Sequence, residues 1–185
     1  MRQGIRATFA VAVHRFGYAI DHIGYLERAF VIRKALRAIY LLGRFLSVIL
    51  CKITIQEETK LIGPILLSPK GNIILGAEKI GNNCLIHHNV TLGMQLGQDG
   101  ATGAKPSLGD WVWIGPDTII HGHIKVGDGA TVLPGSVLTK SIPPYSVVSG
   151  NPATVAQRNY DNKLLFMSWE YQETHSFEGK THEVR

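Results

Sequence analysis

Aliphatic residues return every six positions along the middle of this chain, and few folds can use that period. From Ile62 they stand at Ile62, Ile74, Ile80, Ile86, Leu92, Leu108, Ile114, Ile120, Val126, Val132 and Leu138, with Ser68 in one slot. A helix repeats its buried face about every 3.6 residues and a half-buried strand every two, so neither fits. A chain wound into triangular coils does fit, with three short strands to a turn of about eighteen residues. A second register lies four residues after each aliphatic one. It holds Cys84, Val90, Val112, Thr118, Ile124, Ala130 and Ser136, mostly small or β-branched. Gly often follows the aliphatic residue, as in Ile80-Gly81 and Ile114-Gly115, which suits turns between flat faces. The expected stack sets Ile62 under Ile80, then Leu108, then Val126.

The period breaks once. Leu92 and Leu108 are sixteen apart, so ten extra residues fall within Gly93–Ser107, read as a Gly-rich excursion from the coil. A flexible loop on a rigid scaffold is a common place for a binding or catalytic flap. Pro143-Pro144 cannot donate to a further rung, so the sheet is expected to stop there, with an extended segment from Tyr145 to Ala156. Ahead of the repeat, apolar residues recur every three or four positions from Tyr25 to Leu50, which predicts a helix; a weaker pattern spans Ala7–Ile20. The organisation expected is an arm over 1–58, coils over 59–158 and a tail over 159–185.

Residues 1–55 hold nine Lys/Arg against two Asp/Glu, whereas the rest of the chain holds ten against twelve. The basic excess therefore belongs to the arm. It reads either as a solvated helix face or as a contact for anionic lipid or an acidic partner. No aromatic interleaving points to nucleic acid. Two distant cysteines, Cys51 and Cys84, suggest neither a metal site nor a disulfide framework. No signal peptide is read at the N-terminus, and no clean membrane span is found, since Ala38–Ile55 carries Arg44 and Lys52. A cytoplasmic location is expected, with membrane association through the arm left open.

The stretches Ile80–Gly93, Leu108–Ile120, Val126–Lys140 and Ile142–Ala153 resemble the hexapeptide-repeat acyltransferases. The nearest likeness is to the serine O-acetyltransferase branch and to acetyltransferases of capsule and exopolysaccharide synthesis. The resemblance implies a mainly β fold, a left-handed parallel β-helix with an N-terminal α-helical arm. It also implies a homotrimer, acetyl-CoA as acyl donor in a cleft between neighbouring prisms, and a His as general base. Two positions depart from the serine-type pattern. Its Asp-His-Ala-Thr-Gly segment falls on Leu67-Ser68-Pro69-Lys70-Gly71, and its loop His-Pro falls on Lys105-Pro106.

Acyl transfer to a hydroxyl needs a base, and imidazole suits neutral pH. His87 and His88 follow the inward Ile86 in the coil that emits the loop, so His88 is the first candidate and His87 the second. Lys70, eighteen residues before His88, would hold its imidazole neutral. Lys70 and Lys105 are grouped with Trp113 as acceptor-side residues. Trp113 matches an aromatic that lines the acceptor cleft in relatives, or else packs an oligomer interface. By resemblance Pro134, Gly135, Thr139 and Lys140 contact coenzyme A, and Gly150, Asn151 and Pro152 form a characteristic turn. Lys140 and Arg158 could meet its phosphates. His121 and His123 read more simply as surface corner residues. No metal is expected. The altered serine-type positions favour a glycan acceptor, with serine as the alternative. A further alternative is a zinc protein resembling the γ-carbonic anhydrases, for which the His121-Gly-His123 spacing looks short.

Overall fold

Short parallel strands stack into three walls of a prism. The computed structural model describes residues 5–22, 30–68, 70–94 and 103–168. The first wall, sheet A, runs β1 (Ile53–Ile55), β4 (Ile73–Leu75), β7 (Val90–Gly93), β10 (Ile119–His121) and β13 (Val137–Leu138). Sheet B holds β2 (Lys60–Leu61), β5 (Lys79–Ile80), β8 (Ser107–Leu108) and β11 (Lys125–Val126). Sheet C holds β3 (Ile65–Leu67), β6 (Cys84–Ile86), β9 (Trp113–Ile114), β12 (Thr131–Val132), β14 (Ser146–Gly150) and β15 (Ala153–Arg158). The chain visits A, B and C in turn, so the fold is the parallel β-helix that the six-residue period implies.

One residue of each hexad faces the axis. Ile80, Ile86, Leu92, Leu108, Ile114, Ile120, Val126, Val132 and Leu138 are buried in one continuous core. Each such side chain contributes about 1.5–3 kcal/mol on leaving water. The second register is buried as well, from Cys84 through Ser136. Burial pushes the Cys84 thiol up to about 12, so it is a packing group rather than a reactive one. Both cysteines are free thiols.

Below Ile80 the phase differs from the expected one. Leu61 pairs with Ile80, Leu67 with Ile86, and Leu75 with both Ile55 and Leu92. Leu67 and Leu75 are buried, whereas Ile62 is 59% exposed and Ile74 36%. The inward residues are therefore Leu61, Leu67 and Leu75, not Ile62, Ser68 and Ile74. The cause is a wider corner before β4, which adds two residues between Leu67 and Leu75; the next hexad is one residue short. A second aliphatic residue beside each true position, Ile62, Leu66 and Ile74, hides that slip from a count of periods.

The expected end of the sheet at Pro143-Pro144 is also corrected. The Ile142 N–H donates to Lys125 O at 2.9 Å, the prolines turn the corner, and β14 then pairs with β12. β15 returns antiparallel to β14, so the 145–156 segment is two paired strands rather than a free extension. After it, Asn162 Nδ2 donates to Trp111 O at 2.9 Å, and a short helix over 163–168 sets Phe166 against Leu66, Leu85 and Trp113 on the outside of sheet C.

The arm is α1 (Ile5–His22) and α2 (Phe30–Leu46), followed by a π-helical turn over Ser47–Cys51. Residues 25–29 of the expected 25–50 helix lie outside the described residues. Ala7, Ala10 and Val11 of α1 join the base of the core. His14 is fastened to Thr59 O at 2.8 Å. No helix among the described residues is long and apolar enough to cross a membrane.

Candidate functional site

Each prism has three edges, and the edges carry the polar chemistry. Where sheet C passes to sheet A, successive coils stack His87–Asn89, Gly115–Asp117 and Leu133–Gly135. The Asp117 N–H donates to His88 O at 3.1 Å, and the Gly135 N–H to Pro116 O at 2.9 Å. Asn89 Nδ2 donates to Asp117 Oδ1 at 3.0 Å, while Asn89 Oδ1 accepts from the Asn72 N–H at 3.1 Å. Asn89, Asp117 and Gly135 all hold positive φ, the left-handed corner that Asn, Asp and Gly tolerate best. The local sequence thus builds a rigid edge with His87 and His88 on it.

The two histidines have different surroundings. His87 lays its ring against Trp113, with centroids 4.8 Å apart and planes at 61°. His88 sits 6.4 Å from His87 between ring centroids, and both are half-buried. Burial first, and then the neighbouring His88, push the His87 imidazole down to about 4. The residue tucked beneath His88 is Gly71, where an added Cβ would come within 2.6 Å of His88 Cβ. Lys70 is exposed beside that corner rather than stacked under His88, because the wider corner shifts the pairing.

The remaining expected site residues divide among the edges. Pro134 and Gly135 share the edge of His87 and His88, two rungs along, or about 10 Å at the usual strand spacing. Both are exposed, and nothing lies within 4 Å of a Cβ built on Gly135. Gly150, Asn151 and Pro152 form the β14–β15 turn at the same side of sheet C, with a cis Asn151-Pro152 bond. Thr139 and Lys140 lie on the opposite edge of sheet A, with His121, His123 and the root of the loop. His121 pairs with Gly93, the last strand residue before the loop. Lys105 is ion-paired with Glu58 on that edge. Arg158 pairs with Ser146 near the third edge, away from Lys140. Sheet A therefore separates the histidine pair from the loop root within one chain, although both belong to one coil. Residues 95–102 of the loop lie outside the described residues.

Sequence reasoning missed Asn162, which holds the Trp111 carbonyl, and Phe166, which packs with Trp113. The tail over 159–185 holds five aromatic residues, and no local pattern singles out Phe166 among them. Ser68, at the serine-type His position, is buried, and its Oγ accepts from the Lys70 N–H at 3.4 Å. Among the described residues, no group of three His, Cys, Asp or Glu side chains could hold a metal ion.

Comparison with known proteins finds similarity over the coils. The bacterial transferase hexapeptide family (six repeats) matches residues 105–140. Serine acetyltransferase 4 of Arabidopsis thaliana is 38% identical over 103 residues, 55% of this chain and 28% of that protein. Galactoside O-acetyltransferase of Escherichia coli is 33% identical over 101 residues, half of each chain. The solved soybean serine acetyltransferase apoenzyme superposes with a TM-score of 0.63 at 30% identity, covering 83% of this chain and 58% of that one. The chain thus spans between 28% and 58% of the length of these relatives. The resemblance read from the sequence holds for the coils, and the proteins it points to are named acetyltransferases.

Proposed function

We propose that this protein is an O-acetyltransferase that moves an acetyl group from acetyl-CoA to a hydroxyl acceptor. The observation carrying the proposal is the shared edge. It sets a histidine pair about two rungs from the exposed Pro134–Gly135 corner. His88 is the base. An imidazole near 4, as at His87, is a weak proton acceptor at neutral pH, so His87 serves with Trp113 as a neutral wall. The acceptor oxygen attacks the thioester carbonyl while its proton passes to His88. The tetrahedral oxyanion then collapses, the C–S bond breaks, and the leaving thiolate takes the proton back from His88.

Exposed backbone at Pro134, Gly135 and the Gly150–Pro152 turn would receive the pantetheine arm. The expected Lys140 and Arg158 lie on other edges, so in this reading their contact with phosphates comes from neighbouring prisms of a homotrimer. That arrangement would also bring the loop root and Lys105 of one copy towards the histidine edge of the next.

For the acceptor, the serine-type relatives support serine more strongly than the glycan reading taken from the sequence. The glycan reading keeps two supports: the serine-type histidine positions are Ser68 and Lys105, and a galactoside O-acetyltransferase also matches. Thiol release from acetyl-CoA, followed with serine and with a panel of sugars and sugar nucleotides, tests the proposal. Acceptor-dependent release, with the acetyl ester found by mass spectrometry, is expected. No release with any hydroxyl acceptor overturns it.

A further inference from the structure

Helix α2 leaves an apolar face in solvent. Ile32, Ile39, Leu42, Phe45 and Ile49 are all between 54% and 60% exposed. Each helical residue advances about 100°, so these five, with Ile49 carried on by the π-helical turn, form one stripe about 140° wide. The core side of the helix lies elsewhere, at buried Tyr40 and Ser47 and at Gly43 against Val13. Arg33, Lys34, Arg37 and Arg44 lie in the arc between stripe and core side, with exposed Leu41 among them, and α2 has no acidic residue. Asp21 faces both Arg33 and Arg37, and Glu57 faces Arg44. Among the described residues, Asp21 and Glu57 are the carboxylates set against this arc.

An apolar stripe bordered by basic side chains is the pattern of a helix lying in a bilayer interface, with its apolar face in the acyl boundary and its cations towards lipid headgroups. A second copy suits the face less well. The same basic arc would border the face on every copy, with no acidic residue of α2 to oppose it. We propose that α2 docks this protein on an anionic lipid surface, with Ile39, Leu42 and Phe45 inserted. This inference is independent of the acetyl-transfer reading.

The test is sedimentation of the full chain with vesicles of phosphatidylcholine alone or with about 30% phosphatidylglycerol. Retention on the anionic vesicles is expected, reduced about tenfold at about 1 M salt, where charges are screened within about 3 Å. The double substitution Leu42→Ser, Phe45→Ser should lower retention at least about tenfold, with circular dichroism unchanged. Equal retention on both vesicles overturns the proposal, as does wild-type retention by the double variant. Absence of retention on either vesicle also overturns it. If a concentration-dependent rise in mass vanishes in the double variant, the face belongs to a second copy instead.

Discussion

Inside the prism and outside sheet C, equally apolar side chains are buried by different means. On the inside, Ile86 and Ile114 stack along the axis, each coil covering the next. On the outside, Leu66 and Leu85 would face solvent, yet Leu85 is fully buried because Phe166 returns from the end of the chain to cover it. Inner burial is periodic and local to neighbouring coils. Outer burial depends on one distant segment. The inner column should therefore set global stability, whereas the outer cover can open alone and governs what His87 and Trp113 see.

Substitutions can break this contrast. Ile114→Ala should cost about 2–5 kcal/mol in urea unfolding, and Leu67→Ala should fall in the same range. If Ile62→Ala costs as much as Leu67→Ala, the phase described for the first coil is wrong; about 0.5 kcal/mol is expected at that exposed site. Phe166→Ala should cost about 2 kcal/mol or less and shift tryptophan emission to the red, since Trp111 packs on Phe166 at 5.6 Å between ring centroids. An unchanged emission maximum would show that the cover is not formed in solution.

A further effect is a pH dependence. His87 and His14 have folded-state values below the ordinary 6.5, both chiefly from burial. Above 6.5 each is neutral folded and unfolded, and contributes nothing. As pH falls below 6.5 the unfolded chain binds the proton first, so the folded state loses stability. For His87 the loss grows down to about 4 and then levels. The melting temperature should therefore fall over that window, and His87→Gln should make the fall shallower. Identical slopes for wild type and variant would remove His87 from the account.

How far the molecule was legible follows the same division. From Ile80 upward the period sufficed, because the inward slots keep a strict spacing of six apart from the one insertion, even where a second aliphatic residue adjoins, as in Leu85-Ile86 and Ile119-Ile120. Below Ile80 it misled, because the spacing itself slips there, eight residues from Leu67 to Leu75 and five on to Ile80, and adjoining aliphatics such as Ile62 and Ile74 keep an apparent period of six. Pro143-Pro144 suggested an end where a corner stands, since neither residue needs to donate there. His87 and His88 were visible as a pair after an inward residue. The Gly71 and Trp113 contacts that distinguish them depend on the coil below and the coil above. The role of Phe166 was invisible, as no local pattern reports a contact across some eighty residues.

The central claim is that the edge bearing His88 performs acetyl transfer. Its most direct test is kcat of His88→Ala with the best acceptor, with coenzyme A affinity and oligomeric state measured on the same sample. The account predicts a fall of about 10²–10⁴-fold with affinity and assembly retained. A kcat within about twofold of wild type would contradict it, since general-base loss is far larger than that.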